Sequence, residues 1–267
     1  MTSYGNRFGR IVALSHPSQI KVVGDFISRN REILTHSRVL EIGSYDVNGS
    51  IRAAFDCLSY LGIDLIAGPG VDMVCSVADL LAENKEFDFV ITCEALEHDA
   101  RWCETVQQAF KLLAPGGVLL VTCASRGRPE HGTQRTNPLH SPGTHGVGSN
   151  HYRNIYPNEM QECLSKLKHL ETRVLAYSWM HFDLVVVAQK CYRDGRDDQS
   201  GEFEWNLPTT KALKRALRKV DVFEFLATRP LVPLAASLSD KNYQSIAVRY
   251  VTIVKQIRKL VVKLKRG

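Results

Sequence analysis

Three groups of polar residues have the types and spacing to do chemistry on a small molecule. The first is the run Glu41-Ile42-Gly43-Ser44-Tyr45-Asp46-Val47-Asn48-Gly49-Ser50, directly after a short apolar stretch. Gly43 lets the backbone come close to a ligand. Asn48 and Gly49 fall where the free N–H groups of a following helix could hold a carboxylate or a phosphate. The same residues would equally serve a plain strand-to-helix turn capped by Asn, and the run lacks the G-x-G-x-x-G dinucleotide fingerprint. The second group is Asp64, 21 residues after Gly43. That is the separation at which an acid accepts two hydrogen bonds from a ribose diol; the alternative is a solvated acid at a strand end. The third is His98, closing Cys93-Glu94-Ala95-Leu96-Glu97-His98, together with the histidines of a polar stretch at 124–156: His131, His140, His145 and His151. Imidazole is the natural proton acceptor near neutral pH. A structural or capping role for His98 and a solvated loop are the competing readings.

The elements that must position these groups follow from hydrophobic periodicity. Ile20, Val23, Phe26, Ile27 and Leu34 make an apolar stripe that predicts a helix over 17–35. Strands are expected at Arg38–Ile42, Tyr60–Asp64, Met73–Cys75, Phe87–Cys93, Val118–Cys123, Thr172–Trp179 and Asp183–Gln189. Helices are expected at 48–58, Ala78–Asn84, Glu97–Leu113 (stopped by Pro115-Gly116-Gly117) and Pro157–Leu167. Short apolar runs alternating with helices imply a parallel sheet covered on both faces. Only Met180 to Phe182 separate the last two strands, which demands an antiparallel hairpin. Plain nicotinamide-binding domains do not usually end that way. Further helical patterns stand at 211–227 and 243–265.

The 267 residues, 44% hydrophobic and 23% charged, suit a globular chain rather than a disordered or fibrous one. No run is long and apolar enough for a membrane span. The polar stretch Met1–Arg10 does not read as a signal peptide. The seven cysteines are scattered without a C-x-x-C pair and are expected as reduced thiols of a cytoplasmic protein. Residues 209–267 hold 14 Lys/Arg against Asp221, Glu224 and Asp240, leaving +11; the whole chain carries +6, so the body is at −5. A basic nucleic-acid-binding body is thereby disfavoured. Within the tail, Tyr250, Val254, Ile257, Val261 and Leu264 form an amphipathic seam flanked by Lys and Arg. Such a helix suits docking on the acidic body or peripheral contact with an anionic membrane surface.

Three further segments add to the Gly43 loop and Asp64: Val71-Asp72-Met73-Val74-Cys75-Ser76-Val77-Ala78-Asp79-Leu80, Phe87 to His98, and Leu112-Leu113-Ala114-Pro115-Gly116-Gly117-Val118-Leu119-Leu120-Val121. In this order and spacing they resemble the class I S-adenosylmethionine-dependent methyltransferases, particularly the broad type 11 group, over about residues 36–190. The resemblance implies a Rossmann-like, mostly parallel seven-stranded sheet with an antiparallel terminal hairpin and helices on both faces. With the periodicity and charge outside that span, the chain divides into an N-terminal helical segment (1–35), a cofactor-binding domain (36–191), a polar linker (192–210) and a basic helical C-terminal extension (211–267). The resemblance also implies a ligand map. Glu41, Gly43, Ser44 and Gly49 would lie beside the methionine part and the ribose. Asp64 would hold the ribose hydroxyls, with Leu65 near the adenine. Ala78 and Asp79, or Ser76 and Val77, would line the adenine edge. Cys93 and Glu94, with Ala95, would lie under the sulfonium. The chain departs from the family pattern at Tyr45 and Val47, where later glycines usually fall, and at Ser76, where an Asp is common.

The expected activity is O-methylation of a small polar acceptor such as a sugar or glycan, with His98 and His131 as candidate catalytic groups. Arg126, Arg128, Arg135 and Arg153 against Glu130 alone in the 124–156 loop suggest that an anionic acceptor could be held there. No metal site is expected, because the His spacing matches no structural zinc pattern. A nicotinamide-dependent oxidoreductase, or a catalytically silent fold serving as a membrane-surface scaffold, are the alternatives. The basic tail is expected to be separable, so that its removal from 243 onward leaves cofactor binding intact.

Overall fold

A computed structural model of the chain describes residues 17–47, 49–179, 181–192, 204–217 and 229–264. Asn48, most of the expected linker and the distal part of the helix expected at 211–227 lie outside the described residues.

Seven strands, β1 (Arg38–Ile42), β2 (Ser59–Asp64), β3 (Met73–Val74), β4 (Phe87–Cys93), β5 (Leu113–Ala124), β6 (Leu170–Ser178) and β7 (Asp183–Lys190), form one sheet in the order β3-β2-β1-β4-β5-β7-β6. The first five run parallel; β7 is antiparallel to β5 and to β6. The expected seven-stranded sheet with its antiparallel hairpin is thus present.

Alternate side chains of each central strand enter opposite cores, which is why these strands read as unbroken apolar runs. Leu40, Val90, Leu119, Val121, Leu184 and Val186 face α3 (Val77–Ala82), α4 (Trp102–Lys111) and α6 (Pro157–Ser165). Val39, Phe89, Ile91, Val118, Leu120 and Val185 face α1 (Pro17–Arg29), α2 (Arg31–Thr35) and α7 (Thr210–Ala216). On that second face Phe26 stacks on Phe89 at 5.0 Å, and Trp205 closes over both.

Several boundaries differ from the sequence reading, each for a local reason. The helix expected over 17–35 breaks at Asn30, whose buried side chain bonds Phe26 O at 2.9 Å and accepts the Asn206 N–H at 2.7 Å. Among the described residues 49–58 no α-helix forms; a 3₁₀ turn at Arg52–Ala54 is present. Asp46 Oδ1 accepts the Gly49 N–H at 2.6 Å and closes a turn there, while Arg52 is drawn to Asp72 at 2.8 Å. Asn, Gly and Ser at 48–50 are weak helix formers and do not compete. The Pro115-Gly116-Gly117 segment lies inside β5, which shifts register against β4 between Phe87 and Phe89.

Cys103 and Cys163, expected as free thiols, form a disulfide with Cα atoms 5.8 Å apart. They lie 60 residues apart on α4 and α6, and only the packing of those helices brings them together. Cys57, Cys75, Cys93, Cys123 and Cys191 are free.

Two C-terminal helices, α8 (Leu231–Ser237) and α9 (Asp240–Leu264), complete the described chain. The tail docks on the body, one of the two uses its sequence offered. Tyr243 and Ala247 of α9 pack with Leu231, Ala235 and Phe182 in a third, small core. Further along α9, Ile253 and Ile257 are exposed. No helix among the described residues is long and apolar enough to cross a membrane.

Candidate functional site

The strand order reverses between β1 and β4. In open α/β sheets ligands sit at that point, beyond the carboxyl ends of the strands. A cavity of about 1030 Å³ opens there, at the upper end of the range of about 300–1,000 Å³ typical of small-molecule sites. Glu41, Gly43, Ser44, Gly49, Asp64, Leu65, Ala78, Cys93 and Glu94 all line it, together with Ser76 and Val77. Asp79 does not. Its carboxylate accepts the Ser76 N–H at 2.8 Å and hydroxyl at 2.7 Å in a capping box that starts α3. The Ser-x-x-Asp spacing is that of a helix start, and this use takes the side chain away from the cavity.

The β1 end is built for close approach. Gly43 has φ +78°, and a Cβ there would stand 2.5 Å from the Ala95 Cβ. Any side chain would therefore push the two switch-point loops apart. Ser44 is buried, and its side chain packs against Gly62, where a Cβ would stand 2.8 Å from the Ser44 Oγ. Asp64 ends β2. Its Oδ2 accepts the Tyr45 N–H at 3.2 Å and its Oδ1 the Leu65 N–H at 2.7 Å. The Ile66 N–H also bonds this carboxylate, so three backbone groups fix it and an acceptor position remains for a ligand hydroxyl. Burial raises the Asp64 pKa, against the lowering effect of these backbone donors.

Glu41 is buried behind the Gly43 loop, and its Oε2 accepts the Tyr60 hydroxyl at 2.7 Å. Burial pushes its carboxyl from the usual 4.5 to about 7, although the Tyr60 hydrogen bond and Arg52 oppose the rise. Between those values the folded chain holds a proton that the unfolded chain has released. The favourable contribution is therefore complete below pH 4.5 and is lost as pH rises to about 7. Glu41→Gln keeps an acceptor for Tyr60 and removes the titration. It is expected to be more stable than the parent at pH 8 by up to about 3 kcal/mol, with no such gain at pH 4. Urea unfolding at the two pH values checks this; an equal difference at both would disprove the assignment.

The far end of the same cavity is polar in a different way. Burial holds the His98 imidazole down at about 4, despite its contact with the His151 carbonyl, and holds His131 well below its ordinary range. Both are neutral at neutral pH. Their rings meet edge to face at 5.2 Å, and Tyr152 tilts against each, at 5.5 Å from His98 and 4.9 Å from His131. Both line the cavity. Beneath them Glu97 is fully buried, and Arg128 bridges Asp183 at 3.0 Å and Glu94 at 3.2 Å. Burial disfavours the Arg128 charge, but Asp183 and Glu94 outweigh it and raise its pKa. Glu94 itself has φ +52°, a left-handed backbone uncommon outside glycine. Such strain tends to gather at functional turns.

The 124–156 segment is ordered and has a different use from the expected anion clamp. Arg126 donates to the Ala235 and Ala236 carbonyls, both at 3.0 Å; Arg135 pairs with Glu130 and Arg153 with Glu159. With Arg128 also paired, the arginines mostly tie the loop to the rest of the fold. The segment carries a 3₁₀ turn, Pro138–His140, and the short α5 (Pro142–Gly146). Gly143 lies so close over Asp64 that a Cβ there would collide with the carboxylate. The loop is thus a cover for the β2 end of the cavity. Sequence reading missed Ser141–Thr144, and it missed Tyr250, Val251 and Val254 of α9, which also line the cavity. The α9 seam was legible, but the surface it would face was not.

Residues 17–171 match the family model described as a methyltransferase domain. No curated protein matches the chain. Among solved structures, the chain is similar to the CurJ carbon methyltransferase, with 16% identity and a TM-score of 0.46, covering 66% of this chain but only 54% of that one. It is also similar to the N-methyltransferase NodS from Bradyrhizobium japonicum WM9 in complex with S-adenosyl-L-homocysteine, with 14% identity, a TM-score of 0.42, and 67% and 89% of the two chains covered. The N-terminal domain of EvdMO1 with S-adenosylhomocysteine bound gives 15% identity, a TM-score of 0.46, and 68% and 83%.

Proposed function

The chain belongs to the methyltransferase-domain family, and from that premise we propose that it transfers a methyl group from S-adenosylmethionine to a hydroxyl oxygen of a small polar acceptor such as a sugar. The observation that carries this reading is the single cavity that joins the Gly43–Asp64 end to the His98–His131 end. One end suits an adenosine ligand and the other an uncharged hydroxyl compound.

The residues fit the cofactor. Gly43 admits a ligand against the backbone, and Asp64 is held at the cavity for a ribose hydroxyl. Leu65 would pack on one side of the adenine, with Ser76, Val77 and Ala78 along its edge. When bound, the cofactor supplies an electrophilic methyl group on a positively charged sulfur. Ser141–Thr144 would close over the ribose and exclude water. At the other end the neutral His98 and His131 would line the space in which the acceptor hydroxyl is oriented. Alignment of this kind is the main contribution a protein makes to an in-line displacement.

The test is incubation of the full chain with methyl-labelled cofactor and matched panels of hydroxyl, amine and carbon acceptors. Label is expected in the hydroxyl compounds as a base-stable ether. Label confined to amines or carbon would overturn the choice of oxygen.

A further inference from the structure

We infer that Glu97, His98 and His131 form a binding site for one divalent transition-metal ion, which holds the acceptor hydroxyl at the far end of the cavity. Glu97 and His98 come from the turn after β4 and His131 from the 124–156 loop. One ligand atom from each lies within 4.8 Å of the others. Glu97 Oε1 and His131 Nε2 are 3.7 Å apart. That is too long for a hydrogen bond, and near the separation of about 3.4 Å between two atoms ligating one cation at about 2.1 Å.

The surroundings argue independently for a cation. His98 Nδ1 lies 3.4 Å from the His151 carbonyl, and His131 Nδ1 lies 3.3 Å from the Pro129 carbonyl. With the proton on Nδ1, each ring leaves its Nε2 lone pair free. A backbone carbonyl on the other ring nitrogen is the usual support of a metal-binding histidine. Glu97 is 0% exposed; its carboxylate is held by backbone N–H groups alone, that of Ala124 at 3.3 Å from Oε1 and its own, and no side chain hydrogen-bonds its Oε2. Charge points the same way. Of the three buried or half-buried carboxylates here, Glu94 and Asp183 share Arg128. Among the described residues no Lys or Arg forms a salt bridge with Glu97. Arg128 acts on Glu97 only at longer range, and a small cation between the carboxylate and the two imidazoles would pair with it directly.

Two nitrogens and one carboxylate oxygen suit zinc, manganese, iron or cobalt better than magnesium, which prefers oxygen ligands and water. Three protein ligands leave room for a hydroxyl facing the cavity. The role rests on the oxygen-acceptor reading above. A ligated hydroxyl loses its proton more readily. The O–H bond breaks and the proton leaves to solvent. The oxygen pair then forms the bond to the methyl carbon, and the pair of the broken carbon–sulfur bond stays on sulfur. Histidine spacing in the sequence did not suggest this site, because one ligand is an acid in a turn and another comes from a distant loop.

The test uses the full chain, stripped with chelator and free of any affinity tag, titrated with Co²⁺ and Zn²⁺. One equivalent is expected, with visible cobalt absorption that zinc displaces. His131→Ala and Glu97→Gln are expected to weaken binding by about 100-fold or more. Binding of S-adenosylhomocysteine, measured on the same samples, is expected to persist in both variants, which shows that they are folded. Failure of the parent protein to take up cobalt, or undiminished uptake by the variants, overturns the site. If cobalt binds as expected but S-adenosylhomocysteine does not bind the parent, the cofactor reading fails and the metal site stands.

Discussion

Tyr243→Ala is expected to destabilise the protein by about 3–5 kcal/mol, the cost of emptying a large buried side chain's site. Tyr243 is 1% exposed and its hydroxyl donates to the Gly127 carbonyl. The next residue, Gln244, accepts the Glu130 N–H at 2.7 Å and donates to the Arg128 carbonyl at 2.9 Å. This part of α9 therefore supports the stretch that carries Arg128 and His131. Tyr243→Phe keeps the packing and loses one hydrogen bond, so it should cost only about 1–2 kcal/mol. Urea unfolding of the two variants measures both. A wild-type midpoint for Tyr243→Ala would mean that α9 is no part of the folded unit. On the same grounds, removal of residues from 243 onward should impair the cavity, since Tyr250, Val251 and Val254 line it.

Asp64→Ala is expected to weaken binding of S-adenosylmethionine by about 1–3 kcal/mol, or roughly 5- to 150-fold. The loss has two parts. The ribose hydroxyls lose a charged acceptor, and the Tyr45 and Leu65 N–H groups lose the carboxylate that now ties the loop to β2. Asp64→Asn retains one acceptor oxygen and should fall between the parent and Asp64→Ala. An unchanged dissociation constant in a folded Asp64→Ala protein would remove Asp64 from the ribose position.

The contrast between these two residues shows what the sequence could convey. The place of Asp64 at the cavity was legible because it depends on local order: an apolar strand, a glycine loop and an acid at a fixed separation. The hairpin at Asp183 was legible because a connection so short allows no parallel crossover. Asp79 misled, since Ser-x-x-Asp carries a helix-start meaning that won over a ligand meaning. The helix expected at 48–58 failed for a related reason: a side chain, Asp46, closed the turn before a helix could begin. The roles of Tyr243, Gly143 and Glu97 depend on contacts between residues far apart in the chain. No periodicity carries that information. The loop arginines read as an anion site because their partners, Glu94, Asp183, Glu159 and two backbone carbonyls, lie mostly outside the loop.

Calorimetric titration of the full chain with S-adenosylmethionine, S-adenosylhomocysteine and, as a control, NADH tests the central claim most directly. Micromolar binding of both sulfur compounds at one site per chain, with no heat from NADH, is the predicted result. Binding of NADH in the absence of binding by either sulfur compound would contradict it.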